Sequence, residues 1–288
     1  MSLVLGGGGA RGLAHIGVIQ WLNENRFDIR SIAGSSMGAL IGGIYAMGKL
    51  DVYTRWVTAL EKMDVIRLLD FSFDRTGLLK GDRVISVLRD LIGDCNIEDL
   101  PISFTAVATD LDTGKEVWLN RGSLFDAIRA SMAIPTVFTP YKYQGKRLVD
   151  GGLSNPIPIA PTLNDHTDIT IAVNLSAKSE VAFDAPEQER TQDESGNRYH
   201  RRIVQFIDSL RQKRGQRDTS DIGLFDVVGK TFDTMQNTIA RLKLAAYAPD
   251  IIIDIPRNVC SFYEFHRAGE LIEIGRQRAS QALNKFEG

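Results

Sequence analysis

The chain has 288 residues, 43% of them hydrophobic and 24% charged, which bounds it to one large globular domain or two small ones. Its net charge of −2 supplies no global basic field, so nucleic acid is not an expected partner. The two cysteines, Cys95 and Cys260, make neither a disulfide framework nor a C-x-x-C pair and read as reduced thiols of a cytosolic chain.

Residues 2–5 read as a strand that runs into Gly6-Gly7-Gly8-Gly9. Leu13, Ile16, Ile19 and Leu22 recur near the helical period and predict a helix over 13–25. A short second strand, 30–33, leads into Gly34-Ser35-Ser36-Met37-Gly38 and an apolar, helix-compatible run to Met47. Residues 52–94 look helical, interrupted over 72–81. The β-type run 102–109 pairs with 116–119 across the turn Asp112-Thr113-Gly114. Residues 123–131 read as a helix with Ser123 as its N-cap. Strands are expected over 137–143 and 147–149, around Gln144-Gly145, and over 169–174. The stretch 177–202 is polar, charged and aperiodic, the pattern of a mobile loop or linker. A helix over 229–247, a strand over 251–253 and a last helix over 264–286 complete the chain.

Strands alternate with helices, so the expected fold is α/β, a mostly parallel sheet with helices on both faces. The expected division is a core at 2–175, a charged flexible loop or linker at 176–222, and C-terminal helices and strand at 223–288 packed on that core. The start, Met1 and then Leu3-Val4-Leu5, lacks a signal-peptide pattern. The longest apolar stretch, 37–48, is about 12 residues against the roughly 20 of a membrane span. Together these place the protein in the cytoplasm, with a peripheral visit to the inner membrane face left open.

Three features assemble into one chemistry. Ser36 sits where a strand turns into a helix, with glycines at the flanking positions that a tight G-x-S-x-G nucleophile elbow needs. Such a turn holds the hydroxyl proud of the sheet and frees the Met37 amide. The glycine run can aim successive amides at one anion and complete an oxyanion hole. The same residues also fit G-x-G-x-x-G through Gly7, Gly9 and Gly12, with Asp28 as a ribose-binding acid, so a dinucleotide site competes. Arg11 either orders the loop or binds an anion. Asp150, in Val149-Asp150-Gly151-Gly152, is a carboxylate at a strand end, or a turn aspartate.

A serine hydroxyl needs a base. Of His15, His166, His200 and His266, only His266 gives a credible triad, in the order Ser–Asp–His. Against it, a single strand and helix precede the second strand, fewer than an ordinary α/β-hydrolase places before its elbow. A two-residue mechanism, with Asp150 taking the Ser36 proton, is the other possibility. No acidic or histidine spacing suggests a metal.

Gly7-Gly8-Gly9-Ala10-Arg11-Gly12, Gly34-Ser35-Ser36-Met37-Gly38 and Asp150-Gly151-Gly152 resemble the three signature blocks of patatin-like phospholipases, in the family's order. Ala14-His15-Ile16-Gly17-Val18, Thr76-Gly77-Leu78-Leu79-Lys80-Gly81 and Ala130-Ser131-Met132-Ala133-Ile134-Pro135 are similar too. The resemblance is strong over 2–175 and weak over 249–270, where His266-Arg267-Ala268 is similar to bacterial members and to the catalytic domain of neuropathy target esterase. It implies a patatin-type three-layer α/β/α fold and a Ser-Asp dyad, with Ser36 as nucleophile and Asp150 as base. The amides of Gly7, Gly8, Gly9 and Met37 become the oxyanion hole, with Arg11, Gly12, Gly34, Gly38, Gly151 and Gly152 as motif residues. The implied reaction is hydrolysis of lipid acyl esters, of phospholipids or lysophospholipids, with no metal or cofactor.

The acyl chain then needs an apolar channel. Residues 65–79, with Phe71 and Phe73, are candidates, although they also fit a core helix pair. Trp56 or Phe71 would be the membrane contacts. The alternatives are a triad esterase using His266 and a non-catalytic regulatory protein on the same fold. Oligomeric state is not legible.

Overall fold

A computed structural model describes residues 1–68, 81–135, 137–180 and 224–284. Eight strands form one sheet: β1 (Ser2–Leu5), β2 (Ser31–Ser35), β3 (Ser103–Asp110), β4 (Glu116–Leu119), β5 (Tyr141–Tyr143), β6 (Lys146–Asp150), β7 (Thr170–Ala177) and β8 (Ile251–Pro256). Their order is β5-β6-β3-β2-β1-β7-β8, with β4 paired to β3 off this path. The run from β3 to β8 is parallel, and β4, β5 and β6 add antiparallel pairs at one side.

The helices are α1 (Ala14–Glu24), α2 (Met37–Ala46), α3 (Leu50–Thr58), α4 (Lys62–Leu68), α5 (Asp82–Ile92), α6 (Leu124–Ser131), α7 (Leu224–Tyr247) and α8 (Ala268–Leu283). Alternation along the central strands sorts them onto two faces. Leu3, Leu5, Ile171 and Val173 face the larger core, built with α1, α2, α6 and α8. Val4 and Ala172 face a smaller one, closed by Ile157, Ile159 and Ala240 of α7. This is the three-layer α/β/α arrangement. No described helix is long and apolar enough to cross a membrane.

Helices α1 and α8 cross at backbone contact: a Cβ at Gly17 would collide with Ile272 O, and one at Gly275 with Ala14 O. Chain order reverses at β1, whose neighbours are β2 and β7. In open α/β sheets such a reversal leaves a crevice at the carboxyl ends of the strands, where ligands bind. Both the glycine loop after β1 and Ser36 after β2 stand at that edge.

Two expected elements differ. The strand expected over 137–143 is only Tyr141–Tyr143. Upstream of it, the Val137 and Phe138 amides turn back to Ile134 O at 3.1 and 2.8 Å. β-type residues signal a half-buried surface rather than a backbone state, and here that surface is a cavity wall. The last helix starts at Ala268, after a 3-10 turn at Phe265–Arg267, because Glu264 caps the preceding turn through the Ser261 amide at 2.8 Å. The helical stretch 52–94 resolves into α3, α4 and α5. Phe71, Phe73, the expected interruption and nearly all of the charged loop lie outside the described residues.

Candidate active site

Ser36 occupies the single residue between β2 and α2, at φ 54° and ψ −120°. A non-glycine residue there costs about 1–3 kcal/mol unless its surroundings fix it. They do: the Ser36 amide donates to Ser131 Oγ at 2.9 Å, and Ser131 Oγ donates to Val107 O at 2.6 Å. The Ser36 carbonyl accepts the Leu40 amide at 3.1 Å and opens the helix. Gly34 and Gly38 are demanded by contact. A Cβ on Gly34 would stand 2.5 Å from the Ala39 nitrogen, and one on Gly38 would collide with Leu5 O.

The glycine loop is pinned from several directions. Gly6 and Gly7 donate to Val173 O and Pro156 O at 3.1 and 2.8 Å, and Ala10 donates to Phe262 O at 2.9 Å. Gly7, expected among the oxyanion donors, therefore has its amide engaged; its role is to let the loop lie against Ser36, whose Cβ would be 3.3 Å from a Cβ on Gly7. The Gly8 and Gly9 amides meet no acceptor among the described residues. Gly9, at φ 56°, takes the left-handed turn that only glycine takes cheaply. Gly12 packs against the Met37 side chain.

Arg11 is buried beneath the loop. Its guanidinium donates to Gly8 O at 3.1 Å, to Arg257 O at 3.2 Å and to Asp233 Oδ1 at 2.7 Å, which is the ordering role. His15 is wholly buried with Nε2 2.8 Å from Gly6 O. Burial lowers its pKa to about 4, so it stands neutral and, as the Nε2–H tautomer, donates to that carbonyl. Asp28 lies ahead of β2, at the opposite end of the strand from the glycine loop, and pairs with Arg30 at 2.7 Å. It is not where a ribose-binding acid would stand.

Strand register brings the carboxyl to the serine. Ser35 of β2 pairs with Val107 of β3, and the next β3 residue, Ala108, pairs with Asp150 at the end of β6. Asp150 is fully buried. Its Oδ1 accepts the Gly152 amide at 2.7 Å. Burial pushes its pKa up to about 7, against the Ser36 hydroxyl and the Gly152 amide, which pull it down. Hydroxyl and carboxyl are thus neighbours, yet Oδ2 accepts no well-formed hydrogen bond among the described residues. Catalytic hydrogen bonds are often loose before substrate binds. Gly151 is forced by contact with Val107 O, and Gly152 lies against the end of the Gln236 side chain from α7.

His266 lies exposed on the 3-10 turn, with no hydrogen bond to Ser36 or Asp150 among the described residues. His166 is exposed on a far loop, and His200 lies outside the described residues.

An apolar cavity of about 90 Å³ is lined on the loop side by Gly9, Ser36 and Met37. Tyr53, Trp56 and Val57 of α3, Val65 of α4 and Leu88 of α5 wall it, together with Phe138, Phe262 and Phe265. Trp56 faces this cavity, half-buried, its ring tilted at 42° to that of Tyr53 with centroids 5.7 Å apart.

Sequence reasoning gave no role to Ser131 or Phe262. Ser131 lay within a similar segment without a function. Phe262 lay within the weakly similar stretch 249–270, where no role was read for it.

Residues 3–163 match the patatin-like phospholipase family. An uncharacterized NTE family protein of Mycobacterium tuberculosis is 40% identical over 332 aligned positions, covering 100% of this chain and 92% of that protein. Neuropathy target esterase sws of Drosophila melanogaster is 30% identical over 198, covering 66% of this chain and 13% of that protein. Among solved structures, VipD of Legionella pneumophila aligns with a TM-score of 0.49 at 14% identity, over 99% of this chain and 66% of that one. A match across more than half its length, with a relative similar from end to end, makes the chain a member of the patatin-like phospholipase family.

Proposed function

We propose that the protein is a serine esterase that hydrolyses the carboxylic esters of lipids, phospholipid or lysophospholipid acyl chains, through a Ser36–Asp150 dyad. The observation that carries this is the pairing of a strained serine with a fully buried carboxyl whose pKa is raised to about 7. An aspartate near its usual 3.8 would be a weak base. A general base works best with a pKa near the operating pH.

In this reading Ser36 Oγ attacks the ester carbonyl and its proton passes to Asp150. The amides of Gly8, Gly9 and Met37 hold the negative charge of the tetrahedral intermediate, aided by the positive end of α2. The intermediate collapses, and Asp150 returns the proton to the departing alcohol. Water then attacks the acyl-enzyme, giving its proton to Asp150. Release of the fatty acid returns that proton to Ser36. The cavity beyond Ser36 receives the acyl chain.

The test is hydrolysis of short and long p-nitrophenyl esters by folded wild type, Ser36→Ala and His266→Ala. Ser36→Ala should be inert, and His266→Ala should stay within about twofold of wild type, since surface substitutions away from the site change little. Because Asp150 must be ionised, kcat/KM should rise about tenfold per pH unit below about 7 and level off above it. An inert wild type would sink the esterase reading. A dead but folded His266→Ala would replace the dyad with a triad.

A further inference from the structure

Phe262 lies between β8 and α8, outside the residues matched to the family. Its carbonyl accepts the Ala10 amide at 2.9 Å, which fastens it to the glycine loop. Its ring lies on Gly9: a Cβ built there would be 2.7 Å from Phe262 Cδ2 and 2.8 Å from Cγ. The same residue lines the cavity together with Gly9, Ser36 and Met37, and its contact with Gly9 sets it beside them. The turn that carries it is braced. Glu264 accepts from the Ser261 amide at 2.8 Å and from Arg267 at 3.0 Å, while Arg11 donates to Arg257 O at 3.2 Å.

Resting on the esterase reading, we infer that Phe262 sets acyl specificity at the carbonyl end of the chain, admitting unbranched acyl groups and rejecting those branched beside the ester carbonyl. An acyl group on Ser36 with its oxygen at the Gly8 and Gly9 amides has its first carbons beside this ring. The ring is half-buried, but its backbone is tied to Ala10 and its face rests on Gly9, so it yields little to an extra methyl. A straight chain passes it into the deeper apolar space. Other residues of the lining, such as Leu88 and Val57, meet the rest of a longer chain.

The test compares kcat/KM for p-nitrophenyl butyrate, isobutyrate and octanoate in wild type, Phe262→Ala and Phe262→Leu. A misplaced methyl group in an apolar pocket changes kcat/KM by about 10–200-fold. Wild type should favour butyrate over isobutyrate by about tenfold or more, and Phe262→Ala should cut that ratio by about fivefold or more. Phe262→Leu should fall between, with the octanoate-to-butyrate ratio moving less than about twofold in either variant. A folded Phe262→Ala that keeps the wild-type butyrate-to-isobutyrate ratio overturns the inference and leaves the esterase reading intact. If Phe262→Ala fails to fold, Phe262→Leu decides on the same ratio. A wild type that hydrolyses none of the three esters overturns the esterase reading and this inference with it.

Discussion

Asp150→Asn is expected to lose activity and gain stability, both by large margins. Removing a general base costs about 10²–10⁴-fold in rate. The amide keeps the shape of the carboxyl, and its oxygen can still accept the Gly152 amide. What disappears is the charge. The folded carboxyl titrates at about 7 against an ordinary 3.8, because burial disfavours the ionised form. Between those values the folded state holds a proton that the unfolded state has released. Stability therefore falls as pH rises through that window and stays lower above it. Asparagine has no such cost, so the variant should be more stable by a few kcal/mol above about pH 7, and equal to wild type below about pH 4. Thermal melts across this range measure the effect. A variant that melts at or below wild type at about pH 8 would show that Asp150 carries no burial cost.

Gly38→Ala is the second large effect, and it acts on the fold. The new methyl would collide with Leu5 O and stand 2.5 Å from Leu5 C and 2.9 Å from Gly6 O. Leu5 ends a central strand paired on both sides to β2 and β7, and Gly6 just after it is held by Val173 O and His15, so neither can step aside. Overpacking of side chains alone costs about 1–3 kcal/mol, and collision with immovable backbone belongs at about 3–5 kcal/mol. Gly229→Ala in α7 is the control, since nothing among the described residues lies within 4 Å of the added methyl. It should stabilise by about 0.5–1 kcal/mol. Denaturant unfolding of both variants measures the contrast. Equal midpoints for Gly38→Ala and wild type would mean the elbow does not pack this way.

What the sequence made legible is what is local. A strand, one strained residue and a helix follow each other at Ser36, and the turn itself demands the glycines around it. Arg11, one residue past the glycine run, was readable as ordering the loop or binding an anion, and its buried contacts decide for ordering. What stayed hidden is set by contacts distant in sequence. Gly7 looked like a free donor because nothing nearby indicates that Pro156 O takes its amide. Asp150 read as a strand-end carboxylate, but its place beside Ser36 depends on the registers of β2, β3 and β6. Val137 and Phe138 carry the same β-type signal whether they pair in a sheet or wall a cavity. The link from Phe262 to Ala10 crosses most of the chain.

The most direct test of the central claim is to trap the nucleophile. Wild type, Ser36→Ala and Asp150→Asn would be incubated with a fluorophosphonate, digested, and the modified peptide identified by mass. The expected result is one adduct, on Ser36, absent in Ser36→Ala and formed far more slowly in Asp150→Asn. An adduct on another residue, or labelling at full rate without the Asp150 carboxylate, would contradict the dyad.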